Sequence, residues 1–214
     1  MSWWSHAEGD HASVRTEDAR GSVRTNIHEV AACNARAAAL FSSGNAKDAM
    51  ELFEGALRDC LAMLGRDHLA TLTVAGNLGV ARVSAGRRRV GIGLIAANLA
   101  DRSRVLGDED PRTLTGLDAL AVAYRLAGDV DDAVELSARV AAQRARVLGP
   151  AHPDTLTSRM GMVRAQAAAG DMESAINELR AAMYDAEQAL PPRHPHLTAL
   201  LECAEAIGMA RGDG

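Results

Sequence analysis

Lysine is nearly missing from this 214-residue chain: Lys47 is the one lysine among 23 basic residues, and the rest are arginine. That bias belongs to a GC-rich, bacterial style of coding and says nothing about chemistry. Aromatic residues are scarce as well, at 3%, with two each of Phe, Tyr and Trp. A core without large rings must be filled by Ala, Leu, Val and Met, which suits closely packed helices better than sheets. The cysteines, Cys33, Cys60 and Cys203, are odd in number, widely separated and without a CxxC, so neither a disulfide framework nor a zinc site is indicated. Each reads as a small buried hydrophobe. A basic surplus is also lacking, with a formal charge of −5 and a pI near 5.8. Nucleic-acid scaffolds carry a basic face, and the only basic run, Arg87-Arg88-Arg89, reads as a solvated helix start. Uncharged runs such as Val90 to Ala100 are too short to cross a bilayer. The opening residues, MSWWSHAEGD, have neither the basic nor the apolar region of a secretory signal. The expectation is a cytoplasmic protein with no nucleic-acid and no membrane partner. No nucleophile with its base, no paired-carboxylate site, no metal cluster and no GxxxxGK[ST] phosphate loop is recognisable. An enzyme is therefore not expected, and no cofactor or metal is assigned.

What is present is repetition. LGRDHLATL from Leu64, LGDEDPRTL from Leu106 and LGPAHPDTL from Leu148 are one phrase written at intervals of 42 residues. Gly44, Gly86, Gly128, Gly170 and Gly212 keep the same 42-residue beat. A register held this long identifies a repeat protein. Each unit reads as two helices. From Asp110, Asp-Pro is a helix start: the carboxylate accepts from free first-turn N–H groups, and Pro at the first helical position gives up nothing. Leu114, Leu117, Leu120, Ala121 and Tyr124 follow at helical spacing, and Gly128 closes the helix. Val130, Ala133, Val134, Leu136, Val140, Ala141, Val147 and Leu148 then form the stripe of a second helix, with Asp131, Asp132 and Glu135 at its positive end. His68, His152 and His194 share the register of Asp110 and read as polar residues at helix entrances rather than as metal ligands.

The small-residue pattern that opens the second helices, Gly44 with Ala49 and Phe53, Gly128 with Ala133, and Gly170 with Ala175 and Leu179, resembles the tetratricopeptide repeat. The 42-residue unit with LGxxHPxTL is similar to the kinesin-light-chain variety. The usual unit is about 34 residues, and roughly eight more is about two helical turns, one per helix. The resemblance implies an all-α, right-handed superhelical solenoid of antiparallel helix pairs, with four pairs and a C-terminal capping helix. The expected boundaries are a tail or partial cap at 1–25, then repeats at about 26–67, 68–109, 110–151 and 152–193, and a capping helix at 194–211. In repeat two Gly91 replaces the usual alanine and Gly93 follows, at a cost of roughly 1 kcal/mol each relative to Ala. That second helix is expected to be the loosest.

The same resemblance implies a non-enzymatic protein- or peptide-binding scaffold, a bacterial regulator or adaptor, whose first helices line a concave groove. A self-associating array, pairing two copies through groove or ends, is the alternative, so the chain is either a monomer or a homodimer; an enzyme of unrecognised type ranks third. Carrying over groove positions gives Asn34 and Phe41 in repeat one, with Ala38, and Asn77, Val80 and Val83 in repeat two, with Gly76. Repeat three supplies Asp118, Val122 and Arg125, and repeat four Met160 and Arg164. The asparagine ladder of kinesin-light-chain arrays is matched by Asn77, while its equivalents are Ala35, Ala119 and Gly161. The two-lysine carboxylate clamp of chaperone-binding relatives is absent. Arg125 and Arg164, on adjacent first helices, stand out as forks able to grip an acidic segment. In the tail, Trp3 and Trp4 are expected to bury against the first repeat near Leu40, Phe41 and Phe53.

Overall fold

The computed structural model describes residues 20–208, with side chains from His28 onward. Trp3, Trp4 and the glycine expected at position 212 lie outside the described residues. All regular structure among the described residues is α-helical, and the chain divides into two compact units, Met1–Val105 and Leu106–Gly214. The first unit is built from α1 (Arg20–Ser42), α2 (Ala46–Leu64), α3 (Leu69–Ser84) and α4 (Arg88–Leu106). The second is built from α5 (Pro111–Ala127), α6 (Val130–Leu148), α7 (Pro153–Ala168), α8 (Met172–Ala189) and α9 (Pro195–Ala206). Starts of α3, α5, α7 and α9 fall 42 residues apart, as do starts of α2, α4, α6 and α8. The exception is α1, which begins at Arg20 rather than near residue 26. Between Ser22 and Ser42 there is neither a glycine nor a proline to interrupt it.

Punctuation is finer than the 42-residue beat. Gly44, Gly65, Gly86, Gly107, Gly128, Gly149 and Gly170 all have positive φ, between 81° and 97°, at intervals of 21 residues. Every helix from α1 to α7 therefore closes on a conformation that glycine adopts without strain. Helix starts are chemical as well. His68, His152 and His194 each use Nδ1 to accept from the backbone N–H two residues on, at 3.2, 3.2 and 3.3 Å. Asp110 does the same with a carboxylate oxygen, at 2.8 Å from Arg112 N. The histidines in that register are helix caps.

Packing follows from small residues. Ala49, Ala133 and Ala175, at the same repeat position, are fully buried and let each second helix sit close to its partner. Around Ala49 the first unit packs Phe53, Cys60, Val74 and Leu78. Around Ala175 the second packs Leu156, Val163, Leu179, Leu200 and Cys203. Each large side chain taken fully out of water contributes about 1.5–3 kcal/mol.

Gly91 takes the place of that alanine in α4, and it is a contact rather than a defect. A Cβ built there would lie 2.5 Å from Gly79 O and 2.9 Å from Val83 N, so α3 and α4 approach backbone to backbone. Gly93 meets nothing within 4 Å. Nearby, Asn98 Nδ2 donates to Leu72 O at 2.8 Å and Arg102 Nε to Asn98 Oδ1 at 2.9 Å, tying α4 to α3 through buried polar groups.

Candidate partner-binding face

In the first unit the first helices are α1 and α3. Asn34 and Asn77 meet across them: Asn77 Nδ2 donates to Asn34 Oδ1 at 3.0 Å, and both residues are buried. Phe41, half-buried at the end of α1, packs on the core of this unit. Val80 and Val83 go inward and are 3% and 2% exposed, Val83 against the Gly91 approach. Their side chains serve helix packing more than an open surface.

In the second unit the first helices are α5, α7 and α9. Asp118 is buried and forms an ion pair with Arg144 of α6 at 3.0 Å. Ser158 Oγ of α7 donates to the same carboxylate at 2.9 Å, and Arg144 also donates to Asp154 O and Thr115 Oγ1, each at 2.8 Å. Burial pushes the Asp118 carboxyl up to about 6, overriding the opposing pull of Arg144 and Ser158. Met160 lies in the core of this unit. Neither Asp118 nor Met160 offers its functional atoms freely to a partner. Arg144 and Ser158 escaped the sequence reading because nothing in a one-dimensional pattern pairs α6 with α5 and α7.

Arg125, Arg164 and Val122 are half-buried. Six described arginines are shielded from solvent to that degree or more: Arg82, Arg102, Arg125, Arg144, Arg159 and Arg164. Arg82 pairs with Glu54, Arg144 with Asp118, Arg159 with both Glu178 and Asp185, and Arg102 donates to Asn98. Arg125 and Arg164 have no ion pair among the described residues. They lie on α5 and α7, which pack on one another, within electrostatic reach of each other. Burial pushes the Arg125 guanidinium below its ordinary value, and the charge of Arg164 pushes it down further. The Cys203 thiol of α9 lies within electrostatic reach of Arg164. Burial raises that thiol, with Arg164 pulling the other way, so Cys203 is a core residue and a poor nucleophile. Cys203 was legible as a core residue; its nearness to Arg164 was not, since it depends on how α9 packs on α7.

The arrangement can bind an anion. Among the described residues no group of three His, Cys, Asp or Glu could hold a metal ion, and no helix is long and apolar enough to cross a membrane.

Two family models, both described as tetratricopeptide repeat, match residues 30–70 and 112–188. No curated protein matches the chain in sequence. Among solved structures, the chain is similar to a Podosopora anserina protein of kinesin-light-chain kind, described as having nearly identical TPR-like repeats. The match has 26% identity and a TM-score of 0.63, covering 92% of this chain and 91% of that one. That structure is of a point variant; a second structure of the same description matches at 25% identity and a TM-score of 0.61, covering 90% and 98%.

Proposed function

The chain belongs to the tetratricopeptide-repeat family, in its kinesin-light-chain-like form, and on that premise we propose that it is a non-enzymatic scaffold that grips an acidic segment of a protein partner. Tetratricopeptide repeats generally mediate protein–protein interactions. The face that does so here is the first-helix side of the second unit, with Arg125 and Arg164 at its centre and Val122 beside them. In the first unit the corresponding side carries Phe41 and the Asn34–Asn77 pair. Such a protein acts in the cytoplasm as an adaptor or regulator, bringing its partner to another component.

One observation carries the reading. Arg125 and Arg164 are half-buried, on packed helices and without a counter-charge among the described residues, whereas Arg82, Arg144 and Arg159 each have one and Arg102 is hydrogen-bonded to Asn98. Removing a cation from water without an anion beside it costs free energy, and two together cost more. A purely structural chain gains nothing from that arrangement. A binding face does, because an incoming carboxylate removes the penalty and forms charge-assisted hydrogen bonds at once.

The test compares wild type with Arg125→Met plus Arg164→Met, using fluorescence anisotropy of a labelled pool of Asp/Glu-rich peptides. The expected outcome is a loss of affinity of at least about tenfold, with a thermal midpoint equal to or above that of wild type. Unchanged affinity would remove the arginines from the partner-binding face. A collapse of the midpoint would mean that they hold the fold instead.

A further inference from the structure

We propose that the group received between Arg125 and Arg164 is the phosphate of a phosphorylated serine or threonine in the partner. The inference rests on the acidic-segment reading and narrows it to one chemical class.

Charge counting leads there. On α5, Arg112 is paired with Asp110, and Asp118 with Arg144. On α7, Arg159 is paired with Glu178 and Asp185. On α9, Glu202 and Glu205 are exposed and form no ion pair with Arg164. Among the described residues, Arg125 and Arg164 are then the half-buried cations of this face that form no ion pair. One carboxylate would neutralise one of them and leave the other repelled and desolvated. A phosphomonoester carries about −1.5 to −2 at neutral pH on three acceptor oxygens, which balances both. Arginine forks match such oxygens two at a time, and both side chains are already half-buried, so less freedom is lost on binding than at an open surface.

The phosphate is carried by a peptide rather than arriving free because the two arginines are half-exposed on a helix face instead of enclosed. A free anion there competes with water on its open side. A peptide adds contacts to either side of the phosphate, beginning with Val122, one turn before Arg125 on the same helix.

The experiment uses the full chain and three labelled peptides identical in their degenerate Ala/Gly/Val flanks, with phosphoserine, glutamate or serine at the centre. Inorganic phosphate is titrated separately. Phosphoserine is expected to bind at least about tenfold more tightly than glutamate. Arg125→Met and Arg164→Met should each abolish most of that preference, with helicity and thermal midpoint retained. Affinity for the phosphoserine peptide should fall as pH drops through about 6, where the phosphate takes up its second proton. Equal binding of glutamate and phosphoserine through the same arginines would overturn the phosphate assignment and leave the acidic-segment reading standing. Inorganic phosphate binding as tightly as the peptide would overturn the peptide source. If neither the glutamate nor the phosphoserine peptide depends on either arginine, both readings fall.

Discussion

Asp118 shows how far a single residue's environment departs from its place in a pattern. At its repeat position the equivalents are Asn34, Gly76 and Met160, so the carboxylate is a local choice, and Arg144 is there to meet it. Removing one partner of a buried ion pair typically costs about 3–5 kcal/mol because the other charge stays buried. The pH dependence has a definite sign. A carboxyl raised to about 6 from 3.8 binds its proton more tightly in the folded than in the unfolded chain. Its stabilising contribution is complete below the unfolded value and is lost as pH rises through about 6. At about 1.4 kcal/mol per pH unit the change is at most about 3 kcal/mol. Asp118→Asn removes the titration and leaves every other carboxylate in place. The stability of wild type minus that of the variant, from urea unfolding, should therefore decline between pH 4 and pH 6 and flatten above pH 7. A difference that grows with pH would show that Arg144 outweighs burial at this carboxylate.

At the scale of the helix, glycines that look alike in the sequence separate by what they face. Gly91 lies against Gly79 O and Val83 N, while Gly93 faces open space. Gly91→Ala should destabilise the chain by about 2 kcal/mol or more, since backbone cannot yield as a side-chain tip does. Gly93→Ala should stabilise it by up to about 1 kcal/mol, because alanine is the better helix former and meets no obstacle. Both are read from chemical denaturation midpoints, and equal effects would refute the close approach of α3 to α4. The same contrast marks what was legible beforehand. Helix starts, including the capping histidines, and the 42-residue interval followed from LGxxHPxTL because capping and glycine turns are local chemistry. Depth of burial did not follow. Val80, Val83 and Met160 carry groove register yet point into packing, because the side a residue presents depends on the angle between neighbouring helices. Of the candidate site, Arg125 and Arg164 were identifiable as arginines on adjacent first helices. That they form no ion pair among the described residues is visible only in three dimensions, where the acids of α5, α7 and α9 can be placed against them.

Over the whole chain the balance of charge is −5, so an acidic partner approaches a molecule of its own sign. Electrostatic steering, which accelerates association between opposite charges, is then absent or reversed. The two arginines act only at contact, where nearby charges are poorly screened; beyond about 8 Å at physiological ionic strength the net charge is itself screened. These two ranges predict a split in the kinetics. Association of the acidic probe peptide should run at about 10⁵–10⁶ M⁻¹ s⁻¹, the range of unsteered encounters. Added salt should leave that rate unchanged or raise it modestly by shielding the long-range repulsion. Dissociation should accelerate with salt, as the exposed half of each arginine contact weakens, so affinity falls overall through the off-rate. Stopped-flow fluorescence at several sodium chloride concentrations separates the two. An association rate that drops steeply with salt, with dissociation unmoved, would mean that a broad basic surface draws the partner in. The only basic run in the chain is Arg87-Arg88-Arg89, exposed at the start of α4, so that result would move the binding face from Arg125 and Arg164 to the first unit.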